Sequence, residues 1–275
     1  MVEVKTVKSK DGVDIVYEVT GKGKPALVFV HCWCGKRTYW NAQVEYFSKK
    51  YTCITLDLAG HGESGRNRNK WTIPAFAEDV FAVIEKENLK KVILVGHSMG
   101  GFIALAASLK IKSKLLCLVG VDSFANIEFV ISDEDLVEFM KPYERDFSRT
   151  TREYITALFP PDADRELVER ITNDMALAPA DIAVESFRES FHYSLPKAFD
   201  RLDVLVICIN ADRHPTNAEG LKRHIKNLEL VIVKNSGHFF ILENPEKFNS
   251  ILEENLQKKI KLSGKIGFSF RKIFG

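Results

Sequence analysis

The run VILVGHSMGGFIALAASL (residues 92–109) constrains the fold of this chain more than any other segment. An apolar stretch typical of a buried strand leads directly into a glycine-bounded turn, and small residues typical of a packed helix follow it. Gly96, Ser98 and Gly100 give the turn the pattern G-x-S-x-G. In this context the pattern predicts a strand–turn–helix elbow that exposes the Ser98 hydroxyl, because nearby backbone comes too close for side chains at the two glycines.

Short apolar runs alternate with helical patterns along most of the remaining chain. The runs are rich in Val, Ile and Leu on consecutive positions, which is typical of strands that are covered on both faces of a parallel sheet. The alternation therefore predicts an α/β fold with a mainly parallel sheet flanked by helices on both sides. The predicted strands are 13–19, 25–30, 52–58, 91–96, 115–122, 204–210 and 229–235, and the predicted helices are 72–88, 99–109, 218–226 and 245–259.

The alternation of strands and helices is interrupted at residues 123–200. Charged and aromatic residues at helical spacing, with prolines before the predicted helix starts, indicate a helical insertion there. We therefore predict one discontinuous core domain, residues 1–122 and 201–275, with a helical insertion at residues 123–200. Among the aromatic residues of the insertion, Phe124 and Tyr143 are the candidates for contact with a substrate.

Composition and charge disfavour several functional classes. The 275-residue chain has a formal net charge of +2, which argues against nucleic acid as its main partner. No stretch approaches the ~18 consecutive apolar residues that a membrane span needs. The charged start MVEVKTVKSKDG lacks the apolar core of a signal peptide, so we expect a cytoplasmic protein.

The last residues, KKIKLSGKIGFSFRKIFG (258–275), form a basic tail with interspersed Ile, Leu and Phe. Two interpretations stay open for it. The tail contacts an anionic membrane, or it is an end that frays or packs on the protein's own core. We favour the second interpretation, because two glycines interrupt any amphipathic helix.

The cysteines do not indicate a metal site or a disulfide framework. Their number is odd, and three lie inside apolar runs where free cysteine behaves as a small buried hydrophobe. The remaining pair, in HCWCG, lacks the C-x-x-C spacing of zinc and redox sites. We expect no bound metal at any of them; the five are Cys32, Cys34, Cys53, Cys117 and Cys208.

A serine hydroxyl needs a base to act as a nucleophile, and the base needs a carboxylate to orient it. His238 follows the last predicted strand and is the candidate base. His97 adjoins Ser98, but a residue at that point of the elbow is expected to point away from the serine oxygen. Asp212 and Asp122 each follow a predicted strand, where open parallel sheets place their sites. Either can reach the histidine, and we favour Asp212.

From about residue 10 to 258 the chain resembles the α/β-hydrolase superfamily. The resemblance implies a nucleophile–acid–histidine order, which Ser98, Asp212 and His238 follow, and a cap between the sixth and seventh core strands. The motifs that carry the resemblance are FVHCWCG (29–35), LDLAGHGESG (56–65), GHSMGG (96–101), INADRHPTN (209–217) and SGHFFILENPEKF (236–248).

The resemblance also explains the HCWCG segment. The segment at this place in the superfamily forms part of the oxyanion hole, which implies that the backbone N–H groups of Trp33 and Met99 bind the oxyanion. Cys32 stands where the superfamily usually has glycine, which places a Cβ where the backbone turns closely. The Cys32 thiol is a candidate contact for the acyl group.

These features predict a serine hydrolase that cleaves a carboxylic ester, thioester or lactone through an acyl-enzyme on Ser98, with no cofactor. Its partner is a small molecule, an ester with an apolar acyl group. Two alternatives stay open: a carbon–carbon bond hydrolase or lyase of the same fold acting on a small acid, and a non-catalytic ligand receptor that keeps the triad. An acidic substrate would need basic cap residues, for which the candidates are Arg145, Arg149, Arg152 and Arg188.

Overall fold

The structure is a computed structural model that describes residues 3–262. In this range eight strands form one sheet. They are β1 Glu3–Lys8, β2 Asp14–Thr20, β3 Ala26–Val30, β4 Thr52–Leu56, β5 Val92–His97, β6 Leu115–Val121, β7 Leu205–Ala211 and β8 Asn227–Val233. Their order in the sheet is β1-β2-β4-β3-β5-β6-β7-β8. All pairs from β4 to β8 along this order are parallel, whereas β1, β2 and β4 pair antiparallel.

The prediction of a mainly parallel sheet in an α/β fold is confirmed. The seven predicted strands correspond to β2 through β8, and each boundary lies within two residues of the predicted one. Strand β1 was not predicted. Its sequence, EVKTVK, is half charged and its residues are exposed or half-buried, because it pairs with β2 alone at the sheet edge. It therefore carries no continuous apolar run.

Helices cover both faces of the sheet. Alternate residues of β3 belong to two different buried clusters, Val28 and Val30 to one and Leu27 and Phe29 to the other, as expected of a strand covered on both sides. The helices outside the insertion are α1 Asn41–Phe47, α2 Ile73–Lys86, α3 Met99–Ser108, α9 Ala218–His224, α10 Phe240–Glu243 and α11 Pro245–Leu262. Within residues 3–262 none of the helices has both the length and the apolar character that a membrane span requires.

Five helices lie between β6 and β7, where the sequence predicts the cap: α4 Asp133–Arg145, α5 Phe147–Ala157, α6 Arg165–Ala176, α7 Ala180–His192 and α8 Leu195–Phe199. We call residues 123–200 the cap segment. Three of its helices begin at side chains that accept a hydrogen bond from the first helical turn, namely Ser132, Asp146 and Asp164. The division of the chain into a core domain and a cap domain stays a prediction. The basic tail lies almost wholly outside the described residues.

Candidate active site

Ser98 lies at the tip of the turn between β5 and α3. Its backbone has φ 54° and ψ −125°, in a region that residues other than glycine rarely adopt. Two hydrogen bonds hold this conformation. The Ser98 N–H donates to the Val121 carbonyl at 2.9 Å, and the Ser98 carbonyl accepts from the Gly101 N–H at 2.8 Å. The serine side chain is therefore presented at the carboxyl edge of the sheet.

The glycines of the elbow are required by close backbone contacts. A Cβ on Gly96 would lie 2.2 Å from the Gly100 carbonyl oxygen, and one on Gly100 would lie 2.4 Å from the carbonyl oxygens of Val30 and His31. Helix α3 thus touches both β5 and the end of β3. A third glycine, Gly101, is equally constrained, since its Cβ would lie 2.2 Å from the Ser123 hydroxyl. The G-x-S-x-G pattern does not include this third requirement.

His238 pairs with Asp122, and the preference for Asp212 is wrong on this point. The His238 Nδ1–H donates to Asp122 Oδ2 at 2.6 Å. The other carboxylate oxygen of Asp122 accepts from the Ala211 N–H at 2.9 Å. The backbone of Asp122 is bound to the next strand as well, since its N–H donates to the Ile209 carbonyl at 2.8 Å. These two hydrogen bonds therefore hold the Asp122 carboxylate in place independently of its contact with the imidazole.

Asp212 lies on the same sheet edge, but it is exposed and has different partners. Its Oδ1 accepts from the Ser236 N–H at 3.4 Å, and its Oδ2 is 3.9 Å from Lys234 Nζ. Hydrogen bonds from the backbone of Asn235 and Ser236 hold the pKa of this carboxyl below its ordinary value. Asp212 thus supports the turn that precedes His238 and does not contact the imidazole.

His97 is a buried support for His238. Its Nε2–H donates to the His238 carbonyl at 2.8 Å, and the two rings lie 4.7 Å apart. Burial lowers the pKa of His97 well below its ordinary value, so the ring is neutral. Its Nδ1 is buried without a hydrogen-bond partner among the described residues. The ring holds the backbone of the candidate base.

The Cys32–Trp33 peptide has its carbonyl fixed by two hydrogen bonds. The Cys32 carbonyl accepts from the Gly35 N–H at 3.0 Å and from His31 Nδ1–H at 2.8 Å. The Leu58 N–H donates to His31 Nε2 at 3.0 Å, which fixes the tautomer. In a trans peptide the N–H points away from the carbonyl, so the Trp33 N–H faces the opposite side of the loop.

Position 32 does not need glycine in this chain. The positive φ in HCWCG belongs to Cys34, at 53°, and not to Cys32. The Cys32 side chain is buried and its sulfur packs against the backbone at Gly35. Burial raises the pKa of its thiol to about 12, so the thiol is protonated and a poor nucleophile.

A cavity of about 480 Å³ opens above the elbow. Ser98, Met99, Asp122 and His238 line it together with Cys32 and Trp33, and mostly apolar residues of the cap segment enclose the rest. Met99 is the first residue of α3, where backbone N–H groups have no partner within the helix and the helix dipole favours negative charge.

Two of the predicted substrate contacts do not line this cavity. Phe124 is fully buried and packs edge-to-face on Phe199, with ring centroids 5.0 Å apart. Tyr143 packs edge-to-face on Trp33 at 5.9 Å, so it supports the wall from behind. Both predictions are corrected to packing roles, because aromatics at helical spacing serve the core as readily as a ligand site. Other aromatic and aliphatic residues line the cavity and were not predicted as substrate contacts, among them Phe102, Tyr154, Ile155, Phe187 and Phe191.

No lysine or arginine lines the cavity in the part of the chain that the structure describes. Three of the four basic residues proposed for an acidic substrate have partners elsewhere. Arg149 pairs with Glu153 at 2.9 Å, Arg152 with Asn173, and Arg188 with Glu144. The cavity therefore offers no lysine or arginine to a bound carboxylate, and its basic side chains are the histidines His192 and His238.

The buried histidines predict loss of stability in acid. Burial lowers the pKa of His31 and His97, and that of His61 to about 3, whereas in the unfolded chain each titrates near 6.5. Below pH ~6.5 the unfolded chain binds more protons, so the free energy of unfolding falls as pH drops, by about 1.4 kcal/mol per pH unit for each neutral histidine. Urea denaturation across this range measures the slope. His61→Gln is expected to reduce it by about that amount, and an unchanged slope in this variant would contradict the assignment to His61.

The elbow, the histidine–carboxylate pair and the loop of residues 31–35, which is the predicted oxyanion loop, lie at the ends of parallel strands. A sequence profile of the alpha/beta hydrolase fold matches residues 25–169, which is more than half of the chain. This protein belongs to the alpha/beta-hydrolase family. The family assignment agrees with the resemblance that the motifs carry.

Relatives of this alpha/beta hydrolase extend over nearly the whole chain. The AB hydrolase superfamily protein YisY of Bacillus subtilis (strain 168) is 26% identical over 261 residues, 90% of this chain and 97% of that protein. The 3-oxoadipate enol-lactonase 2 of Acinetobacter baylyi (strain ATCC 33305 / BD413 / ADP1) is 23% identical, over 92% and 96% of the two chains. The esterase EaEST from Exiguobacterium antarcticum superposes with a TM-score of 0.84 at 21% identity, covering 93% of this chain and 100% of that one, and so shares the fold.

Proposed function

We propose that this alpha/beta hydrolase is a serine hydrolase that cleaves a neutral carboxylic ester, thioester or lactone through an acyl-enzyme on Ser98. The observation that carries the proposal is the Asp122–His238 pair, joined at 2.6 Å, which lines the same cavity as Ser98. With Nδ1 bound to the carboxylate, the Nε2 edge of the imidazole is left for the serine proton. The names of relatives that are lactonases or esterases support the same class of reaction.

The proposed reaction has two acyl-transfer steps. Ser98 Oγ attacks the carbonyl carbon while His238 Nε2 takes its proton, and Asp122 stabilises the imidazolium. The carbonyl oxygen becomes an oxyanion held by the N–H groups of Trp33 and Met99. The bond from the carbonyl carbon to the leaving oxygen (sulfur, in a thioester) breaks as His238 gives that atom the proton. Water then attacks the acyl-enzyme while His238 takes its proton, and His238 returns a proton to Ser98 Oγ as the carboxylic acid leaves.

The cavity favours a neutral, apolar acyl group. Its walls are largely aromatic and aliphatic, and a buried carboxylate without a cation is strongly disfavoured. This argues against the carbon–carbon hydrolase or lyase acting on a small acid, whose carboxylate would find no lysine or arginine there. Phe129 and Val130 line the cavity yet are largely exposed, which places an apolar lip at its opening.

A pair of matched substrates tests this proposal. We expect p-nitrophenyl octanoate to be hydrolysed with a kcat/KM at least about 100-fold above that of the p-nitrophenyl monoester of suberic acid, because the terminal carboxylate of the latter loses its hydration without gaining a lysine or arginine partner. Acetate, butyrate and dodecanoate esters, measured alongside, give the chain length that fills the cavity. Equal rates on both substrates would contradict a neutral acyl site. Labelling of Ser98 by a fluorophosphonate with no ester turnover would favour the receptor alternative.

A further inference from the structure

We propose that the cap segment is a positioning element of the catalytic machinery, bound to the oxyanion loop through Trp33 and to the base through His238. The inference rests on the proposed function. It assigns positioning roles to the backbone carbonyls of Ala183 and Leu158. The cavity lies between these two connections, so that the cap and the catalytic groups move as one unit.

The first connection joins the oxyanion loop to α7. The Trp33 indole N–H donates to the Ala183 carbonyl at 2.8 Å. The indole is almost fully buried and stacks on Phe187 of the same helix, with centroids 4.6 Å apart and planes inclined by 27°. Since Trp33 also supplies the proposed oxyanion N–H, a displacement of α7 would displace that donor.

The second connection joins the His238 loop to the end of α5. The His238 N–H donates to the Leu158 carbonyl at 3.0 Å. Phe159 stacks on Phe239, with centroids 4.9 Å apart and planes inclined by 18°. The contact is close, because a Cβ on Gly237 would lie 2.5 Å from Pro160 Cδ. The backbone of the base is thus held by the cap on one side and by His97 on the other.

A side chain from outside the cap segment reinforces the second connection. The Arg213 guanidinium donates to the Ala157 carbonyl, from Nη2 at 2.8 Å and from Nε at 3.2 Å. Arg213 follows β7 and is exposed, so a substitution there alters this contact without opening the core. It is therefore a suitable site for loosening α5 alone.

The helix segments that make these connections also line the cavity. Tyr154, Ile155 and Leu158 come from α5 and the residue after it, and Phe187 and Ser190 come from α7. An acyl chain that fills the cavity packs against both and restrains them. We therefore infer that acyl chain length acts on kcat as well as on KM, because a filled cavity fixes the oxyanion donor and the base in place.

Trp33→Phe tests the first connection. It keeps an aromatic ring but removes the indole N–H, and we expect kcat on the best ester to fall about 10- to 100-fold with KM changed less than about threefold. The control is Trp40→Phe, which removes a buried indole N–H that has no partner among the described residues. Equal kcat values for the two variants, after correction for folded fraction, would overturn this connection.

Arg213→Ala tests the second connection by a readout that does not need activity. We expect faster amide hydrogen exchange in the peptide covering residues 236–240, with Arg213→Lys restoring protection because its ammonium can reach the same carbonyl. Unchanged exchange in Arg213→Ala would overturn the coupling. If the native protein hydrolyses no ester while the exchange result holds, the proposed function fails and the connection between the cap and the His238 loop stands.

Discussion

Replacing Asp122 by asparagine is expected to lower kcat on the best ester by about 10⁴-fold, with little loss of stability. The asparagine keeps the size of the carboxylate and one acceptor oxygen for the Ala211 N–H. Its amide group then faces His238 Nδ1 as a donor, so the ring is driven toward the tautomer with the proton on Nε2. That tautomer cannot accept the proton of Ser98, and no negative charge supports the imidazolium.

Asp212→Asn is the matched control for this prediction. Asp212 follows the neighbouring strand, but it is exposed and accepts from the Ser236 N–H rather than contacting His238. We expect its kcat to stay within about tenfold of the native value, since a neutral amide oxygen can still accept from the turn. Steady-state kinetics of the two variants on one ester, with circular dichroism to confirm folding, decide the assignment. A larger loss in Asp212→Asn would restore the acid that the sequence favours.

The fold was predictable because burial leaves a clear pattern in the sequence. Strands β3 and β5 are buried at every position, so they are continuous apolar runs with sharp ends. Strand β1 has no such pattern, because it lies at the sheet edge and pairs with β2 alone. Helix α1 is only seven residues long and buries two of them, too few to establish a helical period.

The part of the candidate site that was predictable is the serine elbow, because its backbone geometry requires glycines beside the reactive residue. At Ser98 the neighbouring glycines record the close approach of other backbone, and the sequence shows them directly. No comparable sequence pattern distinguishes Asp122 from Asp212, because both follow parallel strands at the same edge of the sheet. It depends on how the turn before His238 places the imidazole, and that turn is itself held by Asp212 and the cap. These are contacts between distant segments.

Replacing Ser98 by alanine is expected to remove about 10⁵-fold or more of the esterase activity and all labelling by a fluorophosphonate. The reagent phosphonylates the serine oxygen with loss of fluoride, so labelling reports the nucleophile even where no good substrate is known. The variant should fold, because the strained φ of 54° is held by backbone hydrogen bonds that do not involve the hydroxyl.

Ser123→Ala tests whether the fluorophosphonate labels the nucleophile specifically or any serine that lines the cavity. Ser123 lines the same cavity as Ser98, but its hydroxyl donates to the Val121 and Gly96 carbonyls, at 3.0 and 3.2 Å. A hydroxyl so engaged has no base to remove its proton, so this variant should keep the label while Ser98→Ala loses it. Loss of labelling in Ser123→Ala with retention in Ser98→Ala would reverse the assignment, and mass spectrometry of the labelled peptide distinguishes the two. The expected result would identify Ser98 as the nucleophile, because the elbow exposes its hydroxyl, whereas the hydroxyl of Ser123 is hydrogen-bonded to backbone carbonyls.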